Sequence, residues 1–319
     1  MSRENSTNGR SQATVPAALR AAFALLGRVA PGTAGAMAER LFLTPPRHAA
    51  PAREREALAG AVPFEVRLGR TALRAWRLGE GPAVLLCHGW GGRGAQLLSL
   101  GEPLREAGFS LVTFDAPAHG RSGGRLASVP VFADAIAAMA RQAGARAAVA
   151  HSMGGAALAL AILRGLPVDA GVVVSTPRSP WPFFQAFGDA LGLPPGIRDA
   201  ARARLERRVG FTADAFDLPR MATGAPPVPL LVVHDRGDAE VPFADGADIA
   251  AAWPGARLLA TEGLGHRRIL RDPAVAGAAA AFVLEHSPRC ACGRLARAAG
   301  ACDGCQLSAE LYDREARAA

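Results

Sequence analysis

The chain has 319 residues, of which 50% are apolar and 20% are charged. A chain of this length and composition can bury a large core, which excludes an intrinsically disordered protein and a small disulfide-stapled domain. Its formal net charge is +8 and all 36 basic residues are arginine. Mechanisms that need a Schiff-base lysine, a P-loop lysine or a serine–lysine dyad are therefore excluded.

The positive charge is spread along the chain. Residues 1–60 hold eight arginines and four acids, residues 61–286 hold 23 and 20, and residues 287–319 hold five and four. Because a nucleic-acid-binding domain gathers its charge in one patch, no nucleic-acid partner is expected. The sequence has no run of 18 apolar residues, so no transmembrane segment is predicted.

Residues 1–61 are predicted to form a disordered polar tail followed by two short helices, which break at Pro31. The apolar stretch of the first helix is interrupted by Arg20 and closed by Arg28. A signal peptide has an uninterrupted apolar stretch, so we predict a cytoplasmic protein. Leu19, Phe23 and Leu26 share one helix face, which is expected to pack on the protein itself. Peripheral contact of these helices or of the C-terminal tail with a membrane or a protein stays open.

From residue 62 onwards, short β-rich runs alternate with helical stretches. Strands are predicted at 64–68, 73–78, 83–87, 110–114, 147–151, 170–174, 230–233 and 257–260. Helices are predicted at 95–107, 130–142, 154–163, 245–252 and 273–285. This alternation predicts an α/β domain over 62–286 with a doubly wound, mostly parallel sheet. Residues 177–225 interrupt the alternation with prolines, aromatic residues and an arginine-rich helix.

Ligands bind such a sheet at the carboxyl ends of its strands. Ser152 lies there, between a strand and a helix, in the segment Ala150-His-Ser-Met-Gly154. A nucleophile in this position projects from a tight, strained turn, and small residues two positions away make room for it. Gly154 fits this pattern, whereas Ala150 departs from the usual first glycine. The helix N-terminus behind Ser152 favours developing negative charge.

A serine nucleophile needs a base, and His266 follows the last strand at the same sheet edge. The acid that orients the histidine is expected after the preceding strand, where Asp235 and Asp238 are both candidates. Asp238 is favoured because it lies deeper in the loop, whereas Asp235 suits a turn-forming role. The order serine, aspartate, histidine matches one of the chain orders of the catalytic triad.

With these motifs in order, the sequence resembles α/β-hydrolase-fold serine hydrolases of the esterase, lipase and monoacylglycerol-lipase type. The matching stretches are His88-Gly-Trp-Gly-Gly92, Asp115-x-x-x-His-Gly-x-Ser122, His151-Ser-Met-Gly-Gly155, Asp238-x-x-Val-Pro242 and Gly265-His266.

The resemblance implies that Ser152 is the nucleophile, His266 the general base and Asp238 its orienting acid. It also implies an oxyanion hole formed by the backbone amides of Trp90 and Met153. Three further residues support these motifs, namely His88, Gly89 and Gly154. Asp115, His119 and Ser122 are expected to be structural, and the insertion at 177–225 is expected to form a cap.

The predicted function is hydrolysis of a carboxylic ester, thioester or amide in a small acyl substrate, through an acyl-enzyme and without a catalytic cofactor. An acyltransferase on the same triad and a non-catalytic module that recruits a partner through the tail remain alternatives.

Residues 287–319 carry four of the five cysteines, in two close pairs: Cys290, Cys292, Cys302 and Cys305. Four thiolates at this spacing suit a tetrahedral zinc site, which would be structural because it leaves no open position. The tail is therefore predicted to be a small zinc-ribbon-like module. A disulfide or redox pair, or no role, is the alternative, and Cys87 is expected to be inert packing.

Overall fold

The computed structural model describes residues 16–290 and 295–296. The predicted disordered tail and most of the cysteine tail lie outside these ranges. The described chain divides into two compact units. One consists of the residues up to Phe42 together with Trp181–Gly210, and the other of Leu43–Pro180 together with the residues from Phe211 onwards.

The larger unit is built on one eight-stranded sheet with the order β1-β2-β4-β3-β5-β6-β7-β8. The strands are β1 (Val62–Leu68), β2 (Thr71–Leu78), β3 (Ala83–Cys87), β4 (Ser110–Phe114), β5 (Ala147–His151), β6 (Ala170–Val174), β7 (Leu230–Asp235) and β8 (Arg257–Thr261). Strands β3 to β8 are parallel, whereas β2 runs antiparallel to both β1 and β4. The central strands are buried over their whole length, as their continuous apolar sequences predict.

Helices of this unit cover both faces of the sheet. They are α3 (Ala52–Ala57), α4 (Leu98–Glu106), α5 (Val129–Ala143), α6 (Met153–Leu163), α9 (Leu218–Ala222), α10 (Phe243–Ala252), α11 (Gly265–Arg268) and α12 (Pro273–His286). The two faces carry separate apolar cores, one packed with α5 and α6 and the other with α4 and α12. This arrangement confirms the predicted doubly wound, mostly parallel α/β architecture.

The smaller unit contains four helices, which form two pairs far apart in the sequence. They are α1 (Ala17–Val29), α2 (Pro31–Phe42), α7 (Trp181–Leu191) and α8 (Pro195–Val209). The backbones of α2 and α8 approach so closely that a Cβ on Gly35 would lie 2.7 Å from the Ala200 Cβ. Glu39 is buried between the guanidinium groups of Arg204 and Arg208, at 2.9 and 2.5 Å. A paired carboxylate is how a helix interface accommodates a buried charge.

Most element ends lie within two residues of the predicted ones. The predicted break at Pro31 is present: α1 ends at Val29 and α2 begins at Pro31, because proline fits the first turn of a helix rather than its interior. A third N-terminal helix, α3, was not predicted. Strand β7 continues two residues beyond Val233, so His234 and Asp235 belong to the strand and not to the loop after it.

Residues 43–61, which the sequence predicts to belong with the N-terminal helices, lie in the larger unit. The charged side chains of Glu54 and Arg47 bind this segment to loops of the larger unit. Glu54, which is 5% exposed, pairs with Arg93 through two hydrogen bonds of 2.6 and 3.0 Å. The Arg47 guanidinium donates to four backbone carbonyls of the loop after β4: those of Ala118, Gly120, Ser122 and Gly124. Neither interaction is visible in local sequence patterns.

No helix in the described ranges combines the length and the apolar character that crossing a bilayer requires.

Candidate active site

Ser152 occupies a sharp turn between the last residue of β5 and the first residue of α6. Its backbone angles are φ 54° and ψ −124°, a region that a residue with a side chain rarely adopts. The turn is held by a hydrogen bond of 2.9 Å from the Ser152 amide to the Val174 carbonyl. The Met153 amide opens α6, where the first turn has no carbonyl partners within the helix. The strained serine turn expected from the sequence is therefore present.

Close backbone contacts explain the glycines after the serine. A Cβ on Gly154 would lie 2.4 Å from the His88 carbonyl oxygen, and one on Gly155 would lie 2.0 Å from Thr176 Oγ1. Both distances are far shorter than van der Waals contact, so only glycine fits. Ala150 instead lies fully buried in the apolar core, within β5. Its methyl group has room there, which is why the departure from glycine is tolerated.

The loop after β3 approaches the serine from the other side. A Cβ on Gly89 would lie 2.8 Å from the Ser152 Cβ and 3.3 Å from its Oγ. The Gly92 amide donates to the Gly89 carbonyl at 3.1 Å, and the Gly91 amide donates to His119 Nε2 at 3.0 Å. The segment that carries the Trp90 amide is thus fixed beside Ser152.

Two buried histidines, His88 and His119, hold this loop. Each ring donates from Nδ1 to a backbone carbonyl and accepts at Nε2 from a backbone amide. His88 donates to the Gly89 carbonyl at 2.7 Å and accepts from the Ala116 amide at 3.0 Å. His119 donates to the Pro117 carbonyl at 2.9 Å and accepts from the Gly91 amide at 3.0 Å. Burial lowers the pKa of His88 to about 4 and that of His119 to about 3. Both rings are therefore neutral near pH 7, as their acceptor role requires.

Asp115 and Ser122 organise the neighbouring loop after β4. The Asp115 carboxylate accepts from the amides of Gly94 and Arg121, at 3.0 and 2.7 Å. Ser122 Oγ donates to the Asp115 carbonyl and accepts from the Arg74 amide. These contacts are structural, in line with the expectation from the sequence.

His266 and Asp238 meet at the same sheet edge. His266 Nδ1 donates to Asp238 Oδ2 at 2.8 Å, and both side chains are almost fully buried. The other carboxylate oxygen, Oδ1, accepts from the backbone amides of Glu240 and Val241 at 2.8 and 2.9 Å. Burial by itself would raise the pKa of Asp238, but the hydrogen bonds from His266 and these amides outweigh it and lower the pKa. The carboxylate is therefore charged near pH 7.

The Asp235 carboxylate binds other partners than that of Asp238. Its Oδ1 accepts from the Gly237 amide at 2.9 Å, and its Oδ2 accepts from Thr261 Oγ1 at 2.8 Å and from the Leu264 amide at 2.9 Å. These contacts join the loop after β7 to the loop that delivers His266. Burial would raise the pKa of Asp235, and the hydrogen bonds, led by those from the Leu264 and Gly265 amides, lower it overall.

Two histidines that sequence reasoning did not place in the site also contact these residues. His151 Nε2 donates to the His266 carbonyl at 2.9 Å, and the two rings lie 4.6 Å apart between centroids. Because His151 precedes Ser152, this contact brings His266 next to the serine turn. His234 Nε2 donates to the Val241 carbonyl at 3.1 Å and lies 3.6 Å from Asp238 Oδ2.

One signal in the sequence could have revealed these residues. His151 ends β5 and the pair His234 and Asp235 ends β7, and the residues before them in these two strands are all apolar. A polar residue in that position is buried and must be hydrogen-bonded, so a contact to the neighbouring loop is the expected outcome.

Of the four tail cysteines, Cys292, Cys302 and Cys305 lie outside the described residues. Cys290 is buried and follows Arg289, which forms an isolated antiparallel bridge with Leu295. Cys87 is buried at the end of β3, and burial raises the pKa of its thiol. Within the described part of the chain no group of three or more metal-ligating side chains occurs.

Comparisons with known proteins agree with the fold. A family model described as alpha/beta hydrolase fold matches residues 82–220, and a model described as TAP-like protein matches residues 212–289. A search of curated protein sequences found no significant match.

Several solved structures share the architecture at low sequence identity. A membrane phospholipase A has a TM-score of 0.55 and 20% identity over 84% of this chain and 96% of that one. An esterase from Thermogutta terrifontis has a TM-score of 0.54 and 17% identity, covering 71% and 99%. A proline iminopeptidase from Mycobacterium smegmatis has a TM-score of 0.55 and 15% identity, covering 70% and 98%. The chain is thus a hydrolase with the α/β-hydrolase fold, and both predictions are confirmed.

Proposed function

We propose that this α/β-hydrolase-fold enzyme cleaves a carboxylic ester, thioester or amide through an acyl-enzyme formed on Ser152. In this proposal His266 is the general base and Asp238 orients it. The observation that carries the proposal is the 2.8 Å contact between Asp238 and His266 Nδ1, at the sheet edge where Ser152 stands in a strained turn. A hydrogen bond at Nδ1 leaves Nε2 without a proton, so Nε2 can accept one from a serine.

The chemistry proceeds in two balanced halves. Ser152 Oγ attacks the acyl carbon and transfers its proton to His266 Nε2, and the carbonyl π electrons move to oxygen. When the tetrahedral intermediate collapses, the bond to the leaving group breaks and His266 returns the proton to that group. Water then attacks the acyl-serine with His266 again acting as base, which releases the acid and restores the serine.

The oxyanion of each intermediate is assigned to the backbone amides of Trp90 and Met153. Backbone amides are preorganised, so they stabilise the developing charge without reorientation, and one such donor contributes about 10²–10³-fold in rate. The Met153 amide is supported by its place at the start of α6. The Trp90 amide is supported by the approach of Gly89 to Ser152.

The test uses two serines that both follow a parallel strand and have a positive φ. Ser152→Ala is expected to abolish labelling by a fluorophosphonate probe and to lower kcat on short p-nitrophenyl esters by about 10⁴-fold or more. Ser175→Ala is the matched control. Ser175 also follows a parallel strand and has a positive φ of 49°, but it is fully buried.

The proposal predicts that Ser175→Ala keeps both labelling and turnover, because its hydroxyl cannot meet a substrate. Labelling that survives Ser152→Ala, or that disappears equally in both variants, would overturn the assignment of Ser152.

The proposal covers three kinds of acyl bond, namely ester, thioester and amide. A phospholipase, an esterase and a peptidase share this fold, and one triad serves esters and amides alike. A panel of ester, thioester and anilide substrates with a common acyl group would rank the three. Adding alcohol acceptors to the same assay separates hydrolysis from acyl transfer, because a transferase forms the new ester in preference to the acid.

A cap function is proposed for the insertion at residues 177–225, of which Trp181–Gly210 belong to the smaller unit. The chain leaves the carboxyl end of β6, the edge that carries the triad residues, before this insertion begins. An insertion at that point is suited to selecting the acyl group. Of the aromatic residues at its start, Phe183 is 39% exposed and is available to contact an apolar acyl chain, whereas Trp181 and Phe184 are buried.

Structural zinc on the four tail cysteines is also proposed. Its support is the soft thiolate chemistry of two close cysteine pairs and the buried position of Cys290 beside the Arg289–Leu295 bridge. The proposal expects one zinc per chain by elemental analysis of the purified protein, and none in Cys302→Ser/Cys305→Ser. Equal zinc in both proteins would refute it.

A further inference from the structure

Exposed apolar side chains are concentrated in the smaller unit. Among the described residues, eight large hydrophobic side chains are exposed, and four of them belong to α1 and α2. Leu25 and Val29 on α1 are 63% and 74% exposed, and Met37 and Leu41 on α2 are 50% and 41% exposed. Two helices that make up about a tenth of the chain thus carry half of this surface, which is more than scattered exposure produces.

The four side chains form helical faces. Leu25 and Val29 are four residues apart, as are Met37 and Leu41, so each pair lies on one side of its helix. At 100° per residue, the Leu25 and Val29 side of α1 is opposite Phe23, which is buried. Helix α1 is therefore apolar on two sides, and only one of them is packed. The face predicted from the sequence to pack inward, with Leu19, Phe23 and Leu26, is the packed one.

The charge around these faces has a single sign. Helices α1 and α2 contain three exposed arginines, Arg20, Arg28 and Arg40. Their one acidic residue, Glu39, is buried between Arg204 and Arg208. Over the described residues of the whole unit, eight arginines face four acids, a net charge of +4.

We infer that the exposed apolar sides of α1 and α2, which carry Leu25, Val29, Met37 and Leu41 and are together called here the hairpin face, dock on an anionic lipid surface. Apolar side chains on one side of a helix, with flanking arginines, match the interfacial helices that lie in the headgroup region. The arginine side chains can extend to lipid phosphates while Leu25 and Val29 enter the acyl boundary.

Charge favours lipid over a second copy of the chain. In a symmetric dimer through this face, the same patch meets itself, so Arg20 and Arg28 would approach their own counterparts. No exposed carboxylate on α1 or α2 is available to compensate for that repulsion. An anionic bilayer supplies the missing negative charge across the whole face.

The test is co-sedimentation of the full chain with phosphatidylcholine vesicles, with and without phosphatidylglycerol. Wild type is expected to bind the anionic vesicles and to bind the neutral ones at least fivefold more weakly, since each arginine near an anionic surface contributes about fivefold. Leu25→Glu/Val29→Glu is expected to lower binding at least tenfold. Arg20→Gln/Arg28→Gln is expected to remove the preference for anionic vesicles.

The matched control is Val62→Glu/Leu258→Glu, which places the same charges on exposed apolar positions of the larger unit, at 65% and 41% exposure. This variant should bind vesicles within twofold of wild type. All variants should keep turnover of a water-soluble ester, so a failure of the docking proposal is distinguishable from a failure of the Ser152 mechanism.

Two results would overturn the inference. One is equal vesicle binding by wild type and Leu25→Glu/Val29→Glu. The other is a wild-type dimer in light scattering that this variant converts to a monomer, without vesicle binding by either protein, which would assign the hairpin face to a second copy of the chain.

Discussion

Asp235 and Asp238 are three residues apart and chemically identical, yet their carboxylates face different partners. Asp238 contacts His266, whereas Asp235 ties Thr261 and the Leu264 amide to the end of β7. In the proposed mechanism, the first contact controls which nitrogen of His266 carries the proton, and the second controls where the His266 ring lies. Substitutions at the two positions should therefore affect different kinetic constants and different measures of stability.

Asp238→Asn should lower kcat on a short ester by about 10⁴-fold with little change in KM. An amide at this position can hold the histidine in the wrong tautomer and no longer stabilises its protonated form. Steady-state kinetics measure this directly.

Asp235→Asn is the paired control. It is expected to lower the free energy of unfolding by about 1–3 kcal/mol, because buried donors lose a charged acceptor, and to reduce kcat far less. If Asp235→Asn abolished turnover as completely as Asp238→Asn, the division of roles would be wrong.

Gly89→Ala should reduce kcat at least tenfold, because the added Cβ would lie 2.8 Å from the Ser152 Cβ and must displace either the serine or the loop. Displacing a reacting group by an ångström costs about 10²-fold. Gly123→Ala is the control, since its nearest neighbours would be 3.5 Å away, an ordinary contact distance. Equal activity in both variants would contradict the conclusion that the Gly89 loop is part of the active site.

At the scale of elements, hydrogen bonds of charged side chains in residues 43–61, a segment outside the sheet, hold the loops at the carboxyl edge of the sheet. Helix α3 supplies Glu54 to Arg93 in the loop after β3. Arg47 binds the carbonyls of the loop after β4. The site loops therefore depend on residues 43–61, although none of those residues belongs to the proposed triad.

Glu54→Gln should lower the free energy of unfolding by about 2–4 kcal/mol, because it leaves the partly buried Arg93 guanidinium without its charged partner. Asp134→Asn is the comparison, since its pair with Arg164 is exposed on both sides and should contribute less than about 1 kcal/mol. Urea unfolding of the two variants measures the difference. A loss no larger for Glu54→Gln than for Asp134→Asn would contradict this account.

At the scale of the whole molecule, several neutral histidines are locked inside the fold. Burial lowers the pKa of His88 to about 4, and that of His119 and His151 to about 3. The unfolded chain binds protons at these groups near their ordinary pKa of 6.5. Below that pH the unfolded state holds more protons than the native state, so stability falls as the pH falls.

The free energy of unfolding should therefore decrease from about pH 6.5 towards pH 4, by about 1.4 kcal/mol per pH unit for each fully buried histidine. Chemical denaturation at a series of pH values gives the slope. His119→Gln lowers the stability at every pH, but its slope over this range should be smaller by about one proton. A slope unchanged by that substitution, or stability that rises on acidification, would contradict the prediction.

Much of the fold and part of the site could be predicted from the sequence. The central strands read as continuous apolar runs because both of their faces are covered, and β3, β4, β5 and β6 were predicted with the observed boundaries. The rule that ligands meet the carboxyl ends of parallel strands placed Ser152, His266 and the two candidate acids, Asp235 and Asp238, at one sheet edge. The absence of lysine narrowed the chemistry without any structure.

Tertiary structure decided what depends on contacts between distant residues. It placed Asp238 rather than Asp235 on His266, brought His151 against the same histidine, and joined Glu54 and Arg47 to the site loops. It also paired the N-terminal helices with α7 and α8, which left Leu25 and Val29 exposed while Phe23 was buried. A helix sequence shows that two faces are apolar, but only the packing partner determines which one remains on the surface.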